Sequence, residues 1–237
     1  MTKTPLSMPQ NKRYRESGNI FIIILVAVFL FGALIYTFTR SSQKGSGNLS
    51  RQQLEIASQE ILSYAQAIEN SVNLIRQRGC SENQINFDNP INAGYTNAAA
   101  PADSSCDVFD ENGGQSTYQS PSPIWTNTAQ EWEFNANLQI TDLGTTCAGS
   151  SCADLAIHLA DIPNDLCTQI NNELRLGAAT IPVDSDYEFG AFTGSFDTTP
   201  TDIADEINSA ILAERATGCL ASTADSENYF YHILMVR

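Results

Sequence analysis

The sequence predicts an α+β protein: a long N-terminal helix, transmembrane and then amphipathic, carrying a disulfide-stapled head built on an antiparallel sheet. Three observations lead there. Ile20 to Thr39 run without a charge. Leu54, Ala57, Ile61, Ala65, Ile68, Val72 and Ile75 recur at steps of three or four, the single apolar stripe of an amphipathic helix. Trp132, Phe134, Ala136, Leu138 and Ile140 alternate with Glu131, Glu133, Asn135, Asn137 and Gln139, the period of a strand that is apolar on one face and wet on the other.

The charge-free run is long enough for a bilayer core, since about 20 helical residues rise about 30 Å. Lys3, Lys12, Arg13 and Arg15 precede it and oppose only Glu16, whereas the chain beyond Arg40 holds 7 basic and 26 acidic residues, a net of −19. Basic flanks stay cytoplasmic. The expected organisation is therefore a cytoplasmic leader over 1–18, a transmembrane helix over 19–40, a Gly/Ser-rich hinge over 41–50, and a head over 51–237 outside the bacterial inner membrane. The head opens with the amphipathic helix 51–78, Ser50 serving as its N-cap and Gly79 as its stop.

Later elements follow from local signals. Residues 80 to 130 are rich in Asn, Ser, Pro and Gly and read as a long stapled loop. Leu155, Ile157 and Leu159 mark a second strand, and "NYFYHILMV" at the C-terminus a third. Between them lie two expected helices. One is led by Pro163, with Leu166, Ile170 and Leu174 aligned and Gly177 as its cap. The other begins at Thr199 and Pro200, aligns Ile203, Ile207 and Ile211, and stops at Gly218.

All six cysteines, Cys80, Cys106, Cys147, Cys152, Cys167 and Cys219, fall in the head. An even count in an exported domain suggests three disulfides, with fifteen pairings open to sequence alone. Cys147 and Cys152 close a short loop in "CAGSSC". Cys80 with Cys106 and Cys167 with Cys219 are the next natural neighbours in order. Zinc is disfavoured: there is no CxxC pair, and only His158 and His232 are available.

Catalytic chemistry has little support. Neither histidine sits in a recognisable catalytic spacing, and no GxSxG, HExxH or P-loop pattern occurs. Asp184, Asp186 and Glu188 read as a solvated acidic loop rather than a calcium site. Trp125 and Trp132 are candidates for a ligand groove, with core packing the simpler expectation. No catalytic residue, metal or cofactor is expected, and the acidic head argues against a nucleic-acid partner.

One connected plan remains: a short basic leader, a Gly-Asn junction at Gly18 and Asn19, an apolar helix, an amphipathic continuation and a disulfide-containing head. In this layout residues 16 to 78 resemble the type IV pilin and type II secretion pseudopilin superfamily. The helix "IPNDLCTQINNEL" also resembles one in larger type IV pilins, where a cysteine such as Cys167 closes a C-terminal loop. The resemblance implies cleavage by prepilin peptidase between Gly18 and Asn19. It further implies packing with other pilin-like subunits through the apolar helix, and contact with membrane lipid and an inner-membrane assembly platform. Family members carry a glutamate where this chain has Ile23. The tip pseudopilin lacks it too, which implies a minor or tip position. The expected function is thus a pilin-like or pseudopilin subunit. The alternative is an uncleaved single-pass membrane protein whose periplasmic domain binds a ligand or a protein.

Overall fold

The computed structural model describes residues 50–144, 153–177, 180–185, 187 and 190–237, together with Ile24, Phe29 and Leu30. The chain divides into two compact units, Met1–Gly47 and Asn48–Arg237, and the architecture below is that of the second.

Helix α1 spans Arg51–Gln77 and begins as the sequence predicts. The hydroxyl of Ser50 accepts the backbone N–H of Gln53, and the Gln53 side chain accepts the Ser50 N–H in return, a reciprocal capping box. Its end is set by Gly79, whose φ of +104° suits a residue without a Cβ. The stripe Ala57, Ile61, Ala65, Ile68, Val72 and Ile75 is wholly buried, packed on α2 (Asn164–Glu173) and on the sheet. Pro163 is the N-cap of α2 rather than its first residue.

Six strands form one sheet: β1 Glu133–Ile140, β2 Asp154–Leu159, β3 Val183–Asp184, β4 Thr201–Ile203, β5 Thr217–Ser222 and β6 Asn228–Met235. Their spatial order is β3-β5-β6-β2-β1-β4. The central pairs are antiparallel, but β4 joins β1 and β3 joins β5 in parallel, so the sheet is mixed.

The architecture corrects the expected fold class in three respects. No long transmembrane-then-amphipathic helix is present among the described residues, which hold two helices in the head. The sheet is mixed, not antiparallel. It is also buried on both faces. Along β6, Phe230 and Leu234 join the core under α1, while Tyr229, Tyr231 and Ile233 join a second core with Leu176, Tyr187, Ile203, Ala204 and Leu212. The wet face expected for β1 is therefore covered: Asn135 is 1% exposed. β1 also breaks its alternation with an irregularity between Asn135 and Leu138.

The helix expected from Thr199 to Gly218 is corrected too. Thr201–Ile203 is β4, a short 3-10 turn covers Ala210–Leu212, and Thr217 already begins β5. Ile203 is buried and Ile207 is 95% exposed, so the three aligned isoleucines share no face. Pairing with β1 outweighs the helical period, because Ile203 reaches a core as a strand residue.

The inner-membrane, single-pass localisation is likewise corrected: among the described residues no helix is long and apolar enough to cross a membrane. The expected span over 19–40 lies outside the described residues except for Ile24, Phe29 and Leu30, and the hinge over 41–50 except for Ser50.

The long loop after α1 is ordered by its asparagines. The Asn97 amide donates to the carbonyls of Asn83 (2.7 Å) and Ile85 (2.8 Å), and the Asn86 side chain accepts the Asn97 N–H (3.0 Å). Such bonds supply partners to backbone that no sheet or helix satisfies.

Candidate functional site

Two of the three disulfides that sequence order suggests are present. Cys80 joins Cys106, and Cys167 joins Cys219, with Cα separations of 5.8 and 5.4 Å. The first closes the asparagine loop onto the end of α1. The second ties α2 to β5, a strand that begins where the sequence suggested the end of a helix. Cys147 and Cys152 lie outside the described residues, as do Gly18 and Asn19 at the expected cleavage point.

Both histidines are held inside the fold. His158 is fully buried, and its Nδ1 is hydrogen-bonded to the Tyr187 hydroxyl. Burial pushes its pKa down to about 3, so the ring is neutral. His232 lies between two elements. Its Nδ1 is 2.6 Å from the Thr217 hydroxyl on β5, and its Nε2 is 3.0 Å from a Glu69 carboxylate oxygen on α1. Burial lowers its pKa, and Glu69 opposes that shift. A hydroxyl, an imidazole and a carboxylate in line have the composition of a hydrolytic triad, but the nitrogens are inverted: the carboxylate meets Nε2 and the hydroxyl Nδ1. None of the three lines the groove described below. The row is read as a polar tie between helix and sheet.

The expected acidic loop is also corrected. Asp184 is buried at the end of β3, where its carboxylate accepts the Ala204 N–H at 3.2 Å. Return of the chain over the sheet's second face buries it, which local sequence does not reveal. Asp186 and Glu188 lie outside the described residues. Among the described residues, no group of three or more His, Cys, Asp and Glu side chains could hold a metal ion.

Among the described residues, a groove of about 660 Å³ lies beside the first half of α1. Tyr64 and Trp125 supply its aromatic wall, with Ile56 and Ala67 beside them. Gln59, Glu60, Ser63 and Gln119 supply its polar side chains. Trp132, wholly buried, braces the wall from behind: it stacks on Tyr64 with centroids 4.9 Å apart and meets Trp125 edge-on at 6.2 Å. Both tryptophans are packed in the core, as the simpler expectation had it; Trp125, 9% exposed, also reaches the groove, and Trp132 does not. The Gln119 N–H donates to the Tyr64 hydroxyl at 3.3 Å, fixing the loop against the helix. Burial raises the Tyr64 pKa to about 12, so this phenol stays protonated. Next to it, the Tyr118 hydroxyl donates to Glu131 at 2.8 Å.

Sequence reasoning placed Trp125 among the groove candidates but missed Gln59, Glu60, Ser63 and Tyr64. A signal was available: on α1, Gln59 and Ser63 fall opposite the apolar stripe, Glu60 on its flank and the large ring of Tyr64 at its margin. Comparison with protein-family models, with curated proteins and with solved structures finds no match for this chain.

Proposed function

We propose that the chain is a noncatalytic, pilin-like or pseudopilin subunit of a type IV pilus or type II secretion-like filament, in a minor or tip position. The reading rests on the resemblance of residues 16 to 78, and it carries over the assembly role rather than the antiparallel head expected with it. The observation that supports it best is the attachment of α1. The helix is fixed to the head along one face by its buried stripe and at its end by Cys80–Cys106. A pull transmitted along α1 would therefore be borne by the whole head. Other subunits and prepilin peptidase are the partners this reading names. It is tested by determining the mature N-terminus and by assaying sheared filaments, for the natural chain and for Gly18→Asp. The expected result is a chain starting at Asn19 in the filament fraction, with both features lost in the variant. A chain that starts at Met1 and never enters filaments overturns the reading.

The runner-up, a head that binds a ligand or protein partner, is favoured by one observation, the groove beside α1. The two readings are compatible, since a minor subunit can present such a surface.

A further inference from the structure

We propose that the groove beside α1 is a binding site for a neutral oligosaccharide. The chemistry of the wall carries the inference. Tyr64, partly buried, and Trp125, 9% exposed, are held in place by the buried Trp132, so the strip of aromatic surface they leave at the groove is preorganised without loss of side-chain freedom on binding. Aromatic faces suit the C–H faces of sugar rings, which are apolar patches on an otherwise hydroxylated molecule. Around this wall stand two amides, a hydroxyl and a carboxylate, from Gln59, Gln119, Ser63 and Glu60. Among the described residues, none of these four side chains is engaged by a hydrogen bond. Amides present a donor and an acceptor side by side, which matches neighbouring hydroxyl groups that both give and accept.

Charge narrows the ligand class. No Lys, Arg or His lines the groove, so nothing there would offset a phosphate, sulfate or carboxylate. The surrounding head is strongly acidic and would repel an anionic chain. A purely apolar ligand fits no better, because half of the eight lining residues present polar side chains. The volume, about 660 Å³, lies in the ordinary range of small-molecule sites. A neutral polyhydroxylated chain satisfies both halves of the wall. The proposal is independent of the filament reading and holds for the head by itself.

The test uses the full chain on an array of neutral hexose and N-acetylhexosamine oligosaccharides beside sialylated and sulfated ones. Titration of the best neutral glycan, followed by tryptophan fluorescence, then compares the natural chain with the Gln59→Ala/Gln119→Ala double variant. Both substitutions are at the groove surface, and an unchanged melting curve verifies the fold. The expected result is binding confined to neutral chains and a loss of at least about tenfold in affinity in the double variant. Three results would overturn it: no neutral glycan bound, binding only to sialylated or sulfated chains, or neutral binding that the double variant leaves intact. A dimer abolished by the same variant, with no glycan signal, would assign the groove to a second copy of the chain instead.

Discussion

Asn171 grips the peptide group of Cys219 with both ends of its amide: its Nδ2 donates to the Cys219 carbonyl at 2.8 Å, and its Oδ1 accepts the Cys219 N–H at 2.9 Å. β3 pairs with β5 only at Ala221 and Ser222, so this side of Cys219 has no strand beside it. The asparagine takes that place, about one helical turn after Cys167, whose disulfide reaches the same residue. Replacing Asn171 with Ala should therefore leave two buried backbone groups without partners and cost about 2–4 kcal/mol in urea unfolding. Asn171→Asp keeps one acceptor but loses the donor, and should also destabilise.

Removal of the disulfides should cost stability that grows slowly, as the logarithm, with the length of the loop each closes. Cys167–Cys219 spans 52 residues and Cys80–Cys106 spans 26. Paired replacement by Ala should cost about 4 kcal/mol for the first and slightly less for the second, chiefly through a freer unfolded chain. Urea midpoints under non-reducing conditions measure both.

The stripe of α1 should not tolerate charge. Ile61 is wholly buried, and Ile61→Asp should lower stability by several kcal/mol, roughly, or prevent folding. Glu60→Asp, on the exposed side of the same turn, should change little. Thermal melts of the two variants decide whether the stripe is packed as described.

Acid should weaken the head through His158. Its folded pKa of about 3 lies below its unfolded value near 6.5, so the unfolded chain takes up a proton that the fold does not. This contribution is fully present above pH 6.5 and is lost as pH falls toward 3; at pH 4.5 the loss is about 3 kcal/mol. An NMR titration should find the His158 ring neutral at pH 5.

Asp154 works in the opposite sense. Burial raises its pKa to about 6, so the ionised form is disfavoured in the fold at neutral pH. Asp154→Asn retains an acceptor for the Arg237 N–H, 2.9 Å away in the natural chain, and removes the charge. It should stabilise by about 1–2 kcal/mol at pH 7, with the gain fading below pH 4 where both states carry a protonated Asp. Chemical unfolding at the two pH values separates this effect from that of His158.

Much of the helical and central-strand structure is legible in the sequence, because there one local pattern decides the outcome. The stripe from Leu54 to Ile75, the cap at Ser50 and a strand ending at Ile140 each correspond to an observed feature, although the irregularity after Asn135 puts Leu138 and Ile140 in the other core from Phe134 and Ala136. The edges are not legible in that way. Ile203, Ile207 and Ile211 have helical spacing, yet pairing between Leu138 and Thr201, 63 positions apart, makes Ile203 a strand residue. β5 was obscured by Gly218, read as a helix stop. Its actual setting is a close approach: a Cβ there would lie 3.0 Å from the Tyr231 ring. The groove depends on the loop carrying Gln119 and Trp125 returning to α1, a contact that no periodicity encodes.

The shortness of the two outer strands also bears on behaviour at high concentration. β3 has 2 residues and β4 has 3, so each border of the sheet offers only a brief row of free backbone groups. A neighbouring molecule cannot find there the long template needed to extend the ladder from one head into the next. Asn171 withdraws a further peptide, at Cys219, from that border. Heads crowded side by side should consequently remain separate folded bodies, free to associate through side chains without their backbones knitting together.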